Sequence, residues 1–342
     1  MAHMSGVFCP EAGRIEVREV MRPVPAPDEV LVRVRACGIC GSDLHFYLGH
    51  FPPPPSCTGH ELAGEVVELG GQVRGAREGD RVAVEPLRYC GECARCRTGD
   101  YQLCPRLQLY GIQLPGGHAE YMAVPARALF PLPSGMDFPL ASLAEPLAVS
   151  IHGLRKANLS AGDRVLVLGG GSIGLLTLLA ARAMGASEVA VVARHSQQQA
   201  TAEALGAARV WTDTDAEALA SACETAPFDA VVEAVGGDAP TPELAARCVR
   251  PGGTISFVGV LSRIPQIHPL VLIMHEIAIV GSITYGRVGA RAEFEMALDL
   301  LAREANAARR LLTHAMPLGR ASEAYATAAD KKTGSLKVTL LP

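Results

Sequence analysis

The chain has 342 residues, the length of about two domains, and 49% of its residues are apolar against 19% that are charged. These proportions are typical of a globular protein with sizeable cores and exclude an intrinsically disordered chain. The 31 basic and 35 acidic residues give a formal net charge of −4, so there is no strong basic field to attract nucleic acid or an anionic membrane surface. Ten cysteines stand out, and their spacing decides what they do.

The first part of the chain is predicted to be mostly β-structure. Charged and apolar residues alternate within residues 13–36, with the period of two that is typical of half-buried strands. Residues 65–68 and 81–84 continue this pattern, and Gly79-Asp80 marks a turn between them. Because few helical patterns precede residue 140, we expect strands joined by long loops here.

After about residue 150, apolar strands alternate with helices. Strands are predicted at 164–168, 188–192, 228–232, 254–258 and 277–283, and helices at 175–184, 197–205 and about 242–249. This alternation predicts a parallel sheet covered by helices on both faces. A helix at 292–303 and a strand at 336–340, which is expected to rejoin the first domain, close the chain. We therefore expect one domain from residues 1–151 and 290–342 and another from residues 152–289.

The most apolar stretch, residues 165–184, is interrupted by four glycines, which favours a strand, a turn and a helix over a membrane span. The chain also lacks a basic segment followed by an apolar core and a cleavage site. A cytoplasmic location is therefore expected. Thiols stay reduced there, so that clustered cysteines favour metal binding over disulfides.

A glycine-rich turn follows the predicted strand 164–168. Gly169, Gly171 and Gly174 fit the pattern G-x-G-x-x-G, with Ser172 and Ile173 before the last glycine, and a helix follows. Glycines permit a tight turn and a close approach of the backbone to a pyrophosphate, which the helix N-terminus favours. In this context the motif predicts a dinucleotide cofactor rather than a merely structural turn.

The end of the second strand indicates which dinucleotide is bound. Enzymes selective for NAD usually carry Asp or Glu there to hold the adenosine ribose 2′-hydroxyl. Here Ala193 is followed by Arg194 and His195, and Arg194 could pair with a 2′-phosphate. We expect NADP(H) to be favoured over NAD(H); the alternative is that Arg194 is a solvated surface charge.

Four cysteines lie close together in the sequence: Cys90, Cys93, Cys96 and Cys104. Four thiolates at this spacing close a tetrahedral shell around zinc with no open position, which predicts a structural zinc site. Reactive thiols and an iron–sulfur cluster are the alternatives. A redox pair does not need four cysteines, and the spacing differs from that of a ferredoxin, although a proline follows the last cysteine as in ferredoxins. Five further cysteines are expected to be buried packing residues, namely Cys9, Cys37, Cys57, Cys223 and Cys248.

A second, dispersed set of metal-ligand types consists of Cys40, His60 and the carboxylates Glu61 and Glu145. Sulfur, nitrogen and oxygen donors on three separate segments, with a fourth position open, are the pattern of catalytic zinc. Spacing alone leaves this set ambiguous, because an isolated cysteine or histidine is more often a packing residue.

Taken in order, these motifs resemble the zinc-dependent medium-chain alcohol dehydrogenases over essentially the whole chain. The resemblance rests on residues 38–45 (GICGSDLH), 59–61 (GHE), the four cysteines, 144–147 (AEPL) and the glycine-rich turn. Because Glu145 stands where classical alcohol dehydrogenases carry a cysteine, the chain is more similar to the sorbitol/polyol and threonine/butanediol dehydrogenase branch. The resemblance implies an α/β fold with a GroES-like β-rich catalytic domain and a Rossmann domain that contains a doubly wound parallel sheet.

The resemblance also implies roles for individual residues. Cys40, His60 and Glu145 match the catalytic zinc ligands, and Glu61 matches a carboxylate that is either a ligand or a near neighbour. Ser42 and His45 match a proton relay. One catalytic and one structural zinc ion per chain are then expected. The catalytic ion lowers the pKa of the substrate hydroxyl, and hydride passes to nicotinamide.

The expected substrate is a small secondary alcohol or polyol. Thr284 precedes Tyr285 where sorbitol-type enzymes often carry an arginine, which argues against sorbitol itself. An NAD-dependent L-threonine or 2,3-butanediol-type dehydrogenase is the alternative. A non-enzymatic nucleotide-binding protein would be expected to lack the catalytic ligands, and all of them are present. The resemblance implies a homodimer or homotetramer, with the strand 277–283 as a candidate edge; neither nucleic acid nor a membrane is an expected partner.

Overall fold

The computed structural model describes residues 2–262 and 264–342 of the chain. The strands are β1 His3–Glu11, β2 Arg14–Met21, β3 Glu29–Gly38, β4 Glu61–Leu69, β5 Arg81–Val84, β6 Leu87–Arg88, β7 Gln108–Leu109, β8 Tyr121–Pro125, β9 Leu129–Pro131, β10 Arg164–Leu168, β11 Glu188–Val192, β12 Arg209–Trp211, β13 Phe228–Glu233, β14 Val249–Phe257, β15 Ala278–Gly281, β16 Arg287–Val288, β17 Arg291–Ala292, β18 Leu312–Pro317 and β19 Lys337–Leu341.

The α-helices connect and cover these strands. They are α1 Gly41–Tyr47, α2 Ala94–Arg97, α3 Phe138–Ala141, α4 Ala144–Lys156, α5 Ser172–Ala183, α6 Ser196–Ala204, α7 Ala216–Thr225, α8 Thr241–Cys248, α9 Pro269–His275, α10 Glu293–Arg303, α11 Ala305–Ala308 and α12 Ala321–Ala329. Within the described residues, no helix combines the length and the apolar character needed to cross a membrane.

The chain divides into two compact units. The first contains Met1–Glu145, Gly286–Ala305 and Leu312–Pro342, and the second contains Pro146–Tyr285 and Asn306–Leu311. The first unit is built on a seven-stranded sheet in the order β18-β19-β3-β4-β5-β9, with β8 also paired to β3. Valines alternate along β3, and their buried side chains pack with those of β4, β5 and β8 into one core, as the period of two predicts.

Register in the first unit brings three distant segments together. Gly38 at the end of β3 pairs with Glu61 at the start of β4, and it pairs on its other side with Thr339 of β19. The residues just after β3 and just before β4 are therefore neighbours, as antiparallel pairing requires. The last strand of the chain lies beside them, as the sequence predicted for residues 336–340.

The second unit contains a six-stranded parallel sheet in the order β12-β11-β10-β13-β14-β15. With β10 counted as the first strand, this is the 3-2-1-4-5-6 order of a doubly wound sheet. It confirms the predicted parallel sheet. The side chains of residues 165–168 in β10 are all fully buried, which explains why this strand reads as an uninterrupted apolar run.

Some predicted boundaries differ from the structure. The helix predicted at 175–184 begins at Ser172, because the last part of the glycine-rich turn forms its first turn. Strand β14 begins at Val249, five residues before the predicted start at residue 254, directly after α8. The five cysteines expected to be packing residues are all buried, as predicted.

Candidate active site and metal centres

Cys40 and His60 are brought together by the pairing of β3 with β4. Cys40 follows β3 by two residues and caps α1, where its backbone N–H donates to the Asp43 carboxylate at 2.9 Å. His60 directly precedes β4 and is 5% exposed. The Cys40 thiol is close enough to the His60 imidazole to raise the pKa of that ring. Two of the predicted catalytic zinc ligands are thus adjacent.

The surroundings of His60 are polar and buried. Its Nε2 lies 3.3 Å from Ser42 Oγ, whereas its Nδ1 is buried with no hydrogen-bond partner among the described residues. Burial opposes protonation, but the nearby Cys40 and Asp43 outweigh it and raise the pKa of His60 well above its ordinary value. A divalent cation bound here would coordinate the imidazole and balance the charge of the acidic groups around it. The thiol of Cys40 and the imidazole of His60 therefore fit a metal ion.

Glu145 lies in the first turn of α4 and is 6% exposed. Burial raises its pKa to about 7, against the opposing effect of the His60 imidazole. Its carboxylate is close enough to His60 and Glu61 for their charges to act on it. The donors of Cys40, His60 and Glu145 do not all lie within 4.8 Å of one another; over residues 2–262 and 264–342, only the four-cysteine group meets that distance.

Glu61 forms a buried ion pair with Lys337. The Lys337 ammonium donates to both Glu61 oxygens at 2.7 Å and to the Ile39 carbonyl oxygen at 3.1 Å. Both side chains are almost fully inaccessible. The two oxygens of Glu61 are therefore engaged by an ammonium group. This geometry favours the prediction that Glu61 lies near the metal site over the prediction that it is a direct ligand.

Ser42 and His45 lie on the same short helix, α1. Ser42 faces His60, as described above. The Nδ1 atoms of His45 and His50 lie 2.9 Å apart, and burial, with a smaller contribution from His50, lowers the pKa of His45. The unprotonated form of His45 is therefore favoured.

The four cysteines of the predicted structural site converge. Their sulfur atoms all lie within 4.8 Å of one another, with Cys90 to Cys96 at 3.8 Å, Cys93 to Cys96 at 3.5 Å and Cys90 to Cys104 at 3.6 Å. A tetrahedral site with Zn–S bonds of about 2.3 Å has S···S edges of about 3.8 Å. Hydrogen bonds from the backbone N–H groups of Glu92 and Cys93 lower the pKa of Cys90 to about 6. The geometry fits four thiolates around one zinc ion.

The glycine-rich turn joins β10 to α5 at the carboxyl end of the sheet. Gly169 has a φ of +114°, which only glycine adopts readily, and a Cβ at Gly174 would overlap the carbonyl oxygen of Gly169. In contrast, a Cβ at Gly171 would meet nothing within 4 Å. Gly171 is the N-cap of α5, whose first turn contains Ser172 and Ile173, and the open space beside Gly171 suits an anionic ligand at the helix N-terminus.

Arg194 and His195 follow β11, as the sequence predicted. Arg194 is exposed and forms an ion pair with Asp213, with 3.3 Å between Nε and the carboxylate. His195 is the N-cap of α6, and its backbone N–H donates to Gln198 Oε1 at 3.2 Å. The structure therefore places a carboxylate next to Arg194 that the sequence motif did not reveal.

Glu233 is a second residue that sequence reasoning missed. It ends β13 and is fully buried, and its Oε1 accepts hydrogen bonds from the N–H groups of Val235 and Gly236 and from the Thr241 hydroxyl. It thereby fixes the loop after β13 beside Gly169, where an added Cβ would lie 2.9 Å from Val235 Cγ2. The sequence signal that could have identified Glu233 is an acidic residue at the end of an apolar strand.

Comparison with known proteins agrees with this geometry. Residues 26–134 match the alcohol dehydrogenase GroES-like domain, and residues 172–303 match the zinc-binding dehydrogenase domain. Sorbitol dehydrogenase from Halalkalibacterium halodurans is 34% identical over 337 residues, which cover 96% of each chain.

Two solved structures show the same fold over nearly their full length. A zinc-binding dehydrogenase from Sinorhizobium meliloti, solved with NADP bound, has a TM-score of 0.90 and 34% identity. The match covers 100% of both chains. The 2R,3R-butanediol dehydrogenase from Bacillus subtilis has a TM-score of 0.88 and 29% identity, with 99% of both chains covered. The predicted combination of a GroES-like domain with a Rossmann sheet is confirmed. The chain belongs to the zinc-binding alcohol dehydrogenase family and is an oxidoreductase.

Proposed function

We propose that this enzyme transfers hydride between a small polyol or secondary alcohol and NADP(H). Residues 1–151 and 290–342 form the catalytic domain in this proposal, and residues 152–289 bind the cofactor. The observation that carries the proposal is the convergence of Cys40 and His60, with the Ser42 hydroxyl 3.3 Å from the imidazole, in a chain similar to sorbitol and butanediol dehydrogenases. Sulfur and nitrogen donors beside a hydroxyl suit chemistry on an alcohol oxygen.

Cys40, His60 and Glu145 would hold the catalytic zinc ion. When bound, zinc polarises the alcohol oxygen and lowers the pKa of its hydroxyl group. The buried Glu145 supplies the oxygen donor, while Glu61, already paired with Lys337, supports the site from outside the ligand set.

Ser42 and His45 handle the proton that leaves the alcohol. The Ser42 hydroxyl, next to His60, donates and accepts hydrogen bonds at the reacting oxygen. His45 is only partly buried, so it can pass the proton from the site to water. Loss of either group slows proton release without removing a metal ligand.

NADP(H) is favoured by the charge at the end of β11. The glycine-rich turn, including Gly169, Gly171 and Gly174, binds the pyrophosphate, and Arg194 lies where the adenosine 2′-phosphate is expected. Asp213 holds the guanidinium in place but also adds a negative charge that the phosphate must offset. The NADP-bound relative from Sinorhizobium meliloti supports the same choice.

The four cysteines would bind the second zinc ion, which has a structural role because no coordination position remains open.

The enzyme is proposed to form a homodimer or homotetramer through its second unit. Strand β15 is an edge of its sheet, and the preceding helix α9 exposes Leu270, Ile273 and Met274. Exposed apolar side chains beside an unpaired strand edge favour pairing with a second copy.

The substrate class is tested by following NADPH absorbance with a panel of acyclic polyols, vicinal diols, secondary alcohols and L-threonine, each with NADP and with NAD. We expect turnover with polyols or diols and a higher kcat/KM with NADP. Turnover of L-threonine or 2,3-butanediol with NAD alone would establish the alternative dehydrogenase. No turnover of any hydroxyl compound in zinc-loaded protein would refute the proposal.

A further inference from the structure

His118 is a fully buried histidine with no role in the proposed chemistry. It lies three residues before β8, and its side chain is 0% exposed. Its Nε2 lies 3.1 Å from the carbonyl oxygen of Gly38. Its Nδ1 lies 3.0 Å from the Thr58 hydroxyl and 3.1 Å from the Tyr325 hydroxyl. Both ring nitrogens therefore have partners, whereas in His60 only Nε2 has one among the described residues.

The partners fix the state of the His118 ring. The Gly38 carbonyl can only accept a hydrogen bond, so Nε2 carries the hydrogen and Nδ1 is an acceptor. Thr58 and Tyr325, whose oxygens are 2.8 Å apart, supply the donor to Nδ1. Thr58 and Tyr325 are also fully buried, and burial lowers the pKa of His118, which is therefore neutral. The network is complete without any charge.

Each end of the network is next to a predicted metal ligand. Gly38 is two residues before Cys40, and Thr58 is two residues before His60. The backbone strengthens the second link, because the N–H of His118 donates to the Thr58 carbonyl oxygen at 2.9 Å.

The ring also packs directly against Gly59. A Cβ there would lie 2.5 Å from the imidazole Cγ, and the φ of Gly59 is +91°. The glycine that precedes His60 is therefore held between its own backbone conformation and the His118 ring.

We propose that His118 is a positioning residue for the catalytic zinc site: it links the segment that carries Cys40 to the segment that carries His60. This inference rests on the proposed function, in which those two residues hold zinc. One donor at Nε2 and one acceptor at Nδ1 set the separation of the two segments. A side chain that keeps only one of these contacts leaves one ligand segment free to shift.

Three substitutions separate the contacts. His118→Phe removes both and keeps an aromatic ring against Gly59. His118→Gln keeps an amide N–H near the Nε2 position and so preserves the bond to Gly38. His118→Asn keeps a polar group near the Nδ1 position and loses the bond to Gly38. Zinc release from each folded, zinc-loaded protein is followed by the absorbance of the chelator 4-(2-pyridylazo)resorcinol, and unfolding in urea is measured in parallel.

We expect two release phases in the wild-type protein. His118→Phe should accelerate one phase about tenfold or more and leave the other unchanged. His118→Gln, which keeps only the bond to Gly38, should accelerate the same phase by less than His118→Phe does. Unchanged release from His118→Phe, equal acceleration of both phases, or release from His118→Gln as fast as from His118→Phe would each overturn the inference.

Two further measurements keep the result interpretable. If His118→Phe does not fold, His118→Asn takes its place: faster release in the same phase supports the inference, and a wild-type rate overturns it. The proposed function is checked separately with His118 intact. A Cys40→Ala protein that retains both zinc ions would refute the ligand assignment itself.

Discussion

Lys337 donates to both carboxylate oxygens of Glu61 at 2.7 Å, although 276 residues separate them in the chain. The pair is almost fully buried beside Cys40, because β19 lies next to β3, which is next to β4. A buried carboxylate without its cation is strongly unfavourable. The last strand of the chain therefore holds this carboxylate next to the proposed metal site and also pairs with the sheet.

Lys337→Met is expected to lower the free energy of unfolding by about 3–5 kcal/mol, because it leaves the Glu61 charge buried and unpaired. The double variant Lys337→Met/Glu61→Gln should recover much of this loss. Urea unfolding of the four proteins in the cycle, including Glu61→Gln alone, measures the coupling. Additive effects of the two substitutions would show that the ion pair does not contribute to stability.

Glu85 gives the fold a predicted dependence on pH. It is 2% exposed and accepts a hydrogen bond from Tyr101 at 2.5 Å, and burial raises its pKa from 4.5 to about 7. Below pH 4.5 both the folded and the unfolded state hold the proton. Between pH 4.5 and 7 only the folded state does, so the free energy of unfolding falls as pH rises, by roughly 3 kcal/mol in total.

Glu85→Gln should remove this part of the pH dependence, because an amide oxygen still accepts from Tyr101 but does not ionise. The measurement is urea unfolding at several values between pH 5 and pH 8. Glu78→Gln, a substitution of an exposed glutamate, is the matched control and should keep the wild-type slope. A Glu85→Gln slope equal to that of the wild-type protein would contradict the prediction.

Arg194→Ala is expected to weaken NADPH binding about tenfold or more and to leave NADH binding nearly unchanged, because a charge-assisted pair with the 2′-phosphate is lost. Asp213→Asn should instead strengthen NADPH binding, since it removes the competing carboxylate next to Arg194. Fluorescence titration with both cofactors gives the dissociation constants. An equal loss of affinity for both cofactors in Arg194→Ala would show that this side chain does not bind the 2′-phosphate.

Cys93→Ser should remove the structural zinc ion and lower the Tm while the other zinc ion stays bound. The substitution leaves three sulfur donors, and a tetrahedral zinc shell needs four. Zinc content by atomic absorption and thermal unfolding are the measurements. Cys57→Ser, which alters a buried cysteine outside the group, is the control and should retain both ions.

Local features of the site were predictable from the sequence. The four cysteines lie within a short segment, and the glycine-rich turn occupies consecutive residues between a strand and a helix. In both places neighbours in the chain are neighbours in space, so the spacing of the residues is sufficient to predict the kind of binding site. The parallel sheet was predictable for the same reason, because its apolar strands alternate regularly with helices.

The remaining features depend on contacts between distant residues. Lys337, His118 and Asp213 have ordinary sequence surroundings, and only strand register or a later loop brings each to its partner. The set of Cys40, His60 and Glu145 was likewise ambiguous by spacing and was suggested by the family resemblance. Sequence periodicity does not encode which segments meet across a sheet.

The most direct test of the whole account is the zinc content and activity of Cys40→Ala beside the wild-type protein. Cys40 is the predicted catalytic ligand next to His60 and lies outside the four-cysteine group. We predict two zinc ions per chain in the wild-type protein, one in the variant, and loss of at least a thousandfold in kcat/KM in the variant, equivalent to about 4 kcal/mol of transition-state stabilisation. A folded Cys40→Ala protein with two zinc ions and full activity would contradict the account.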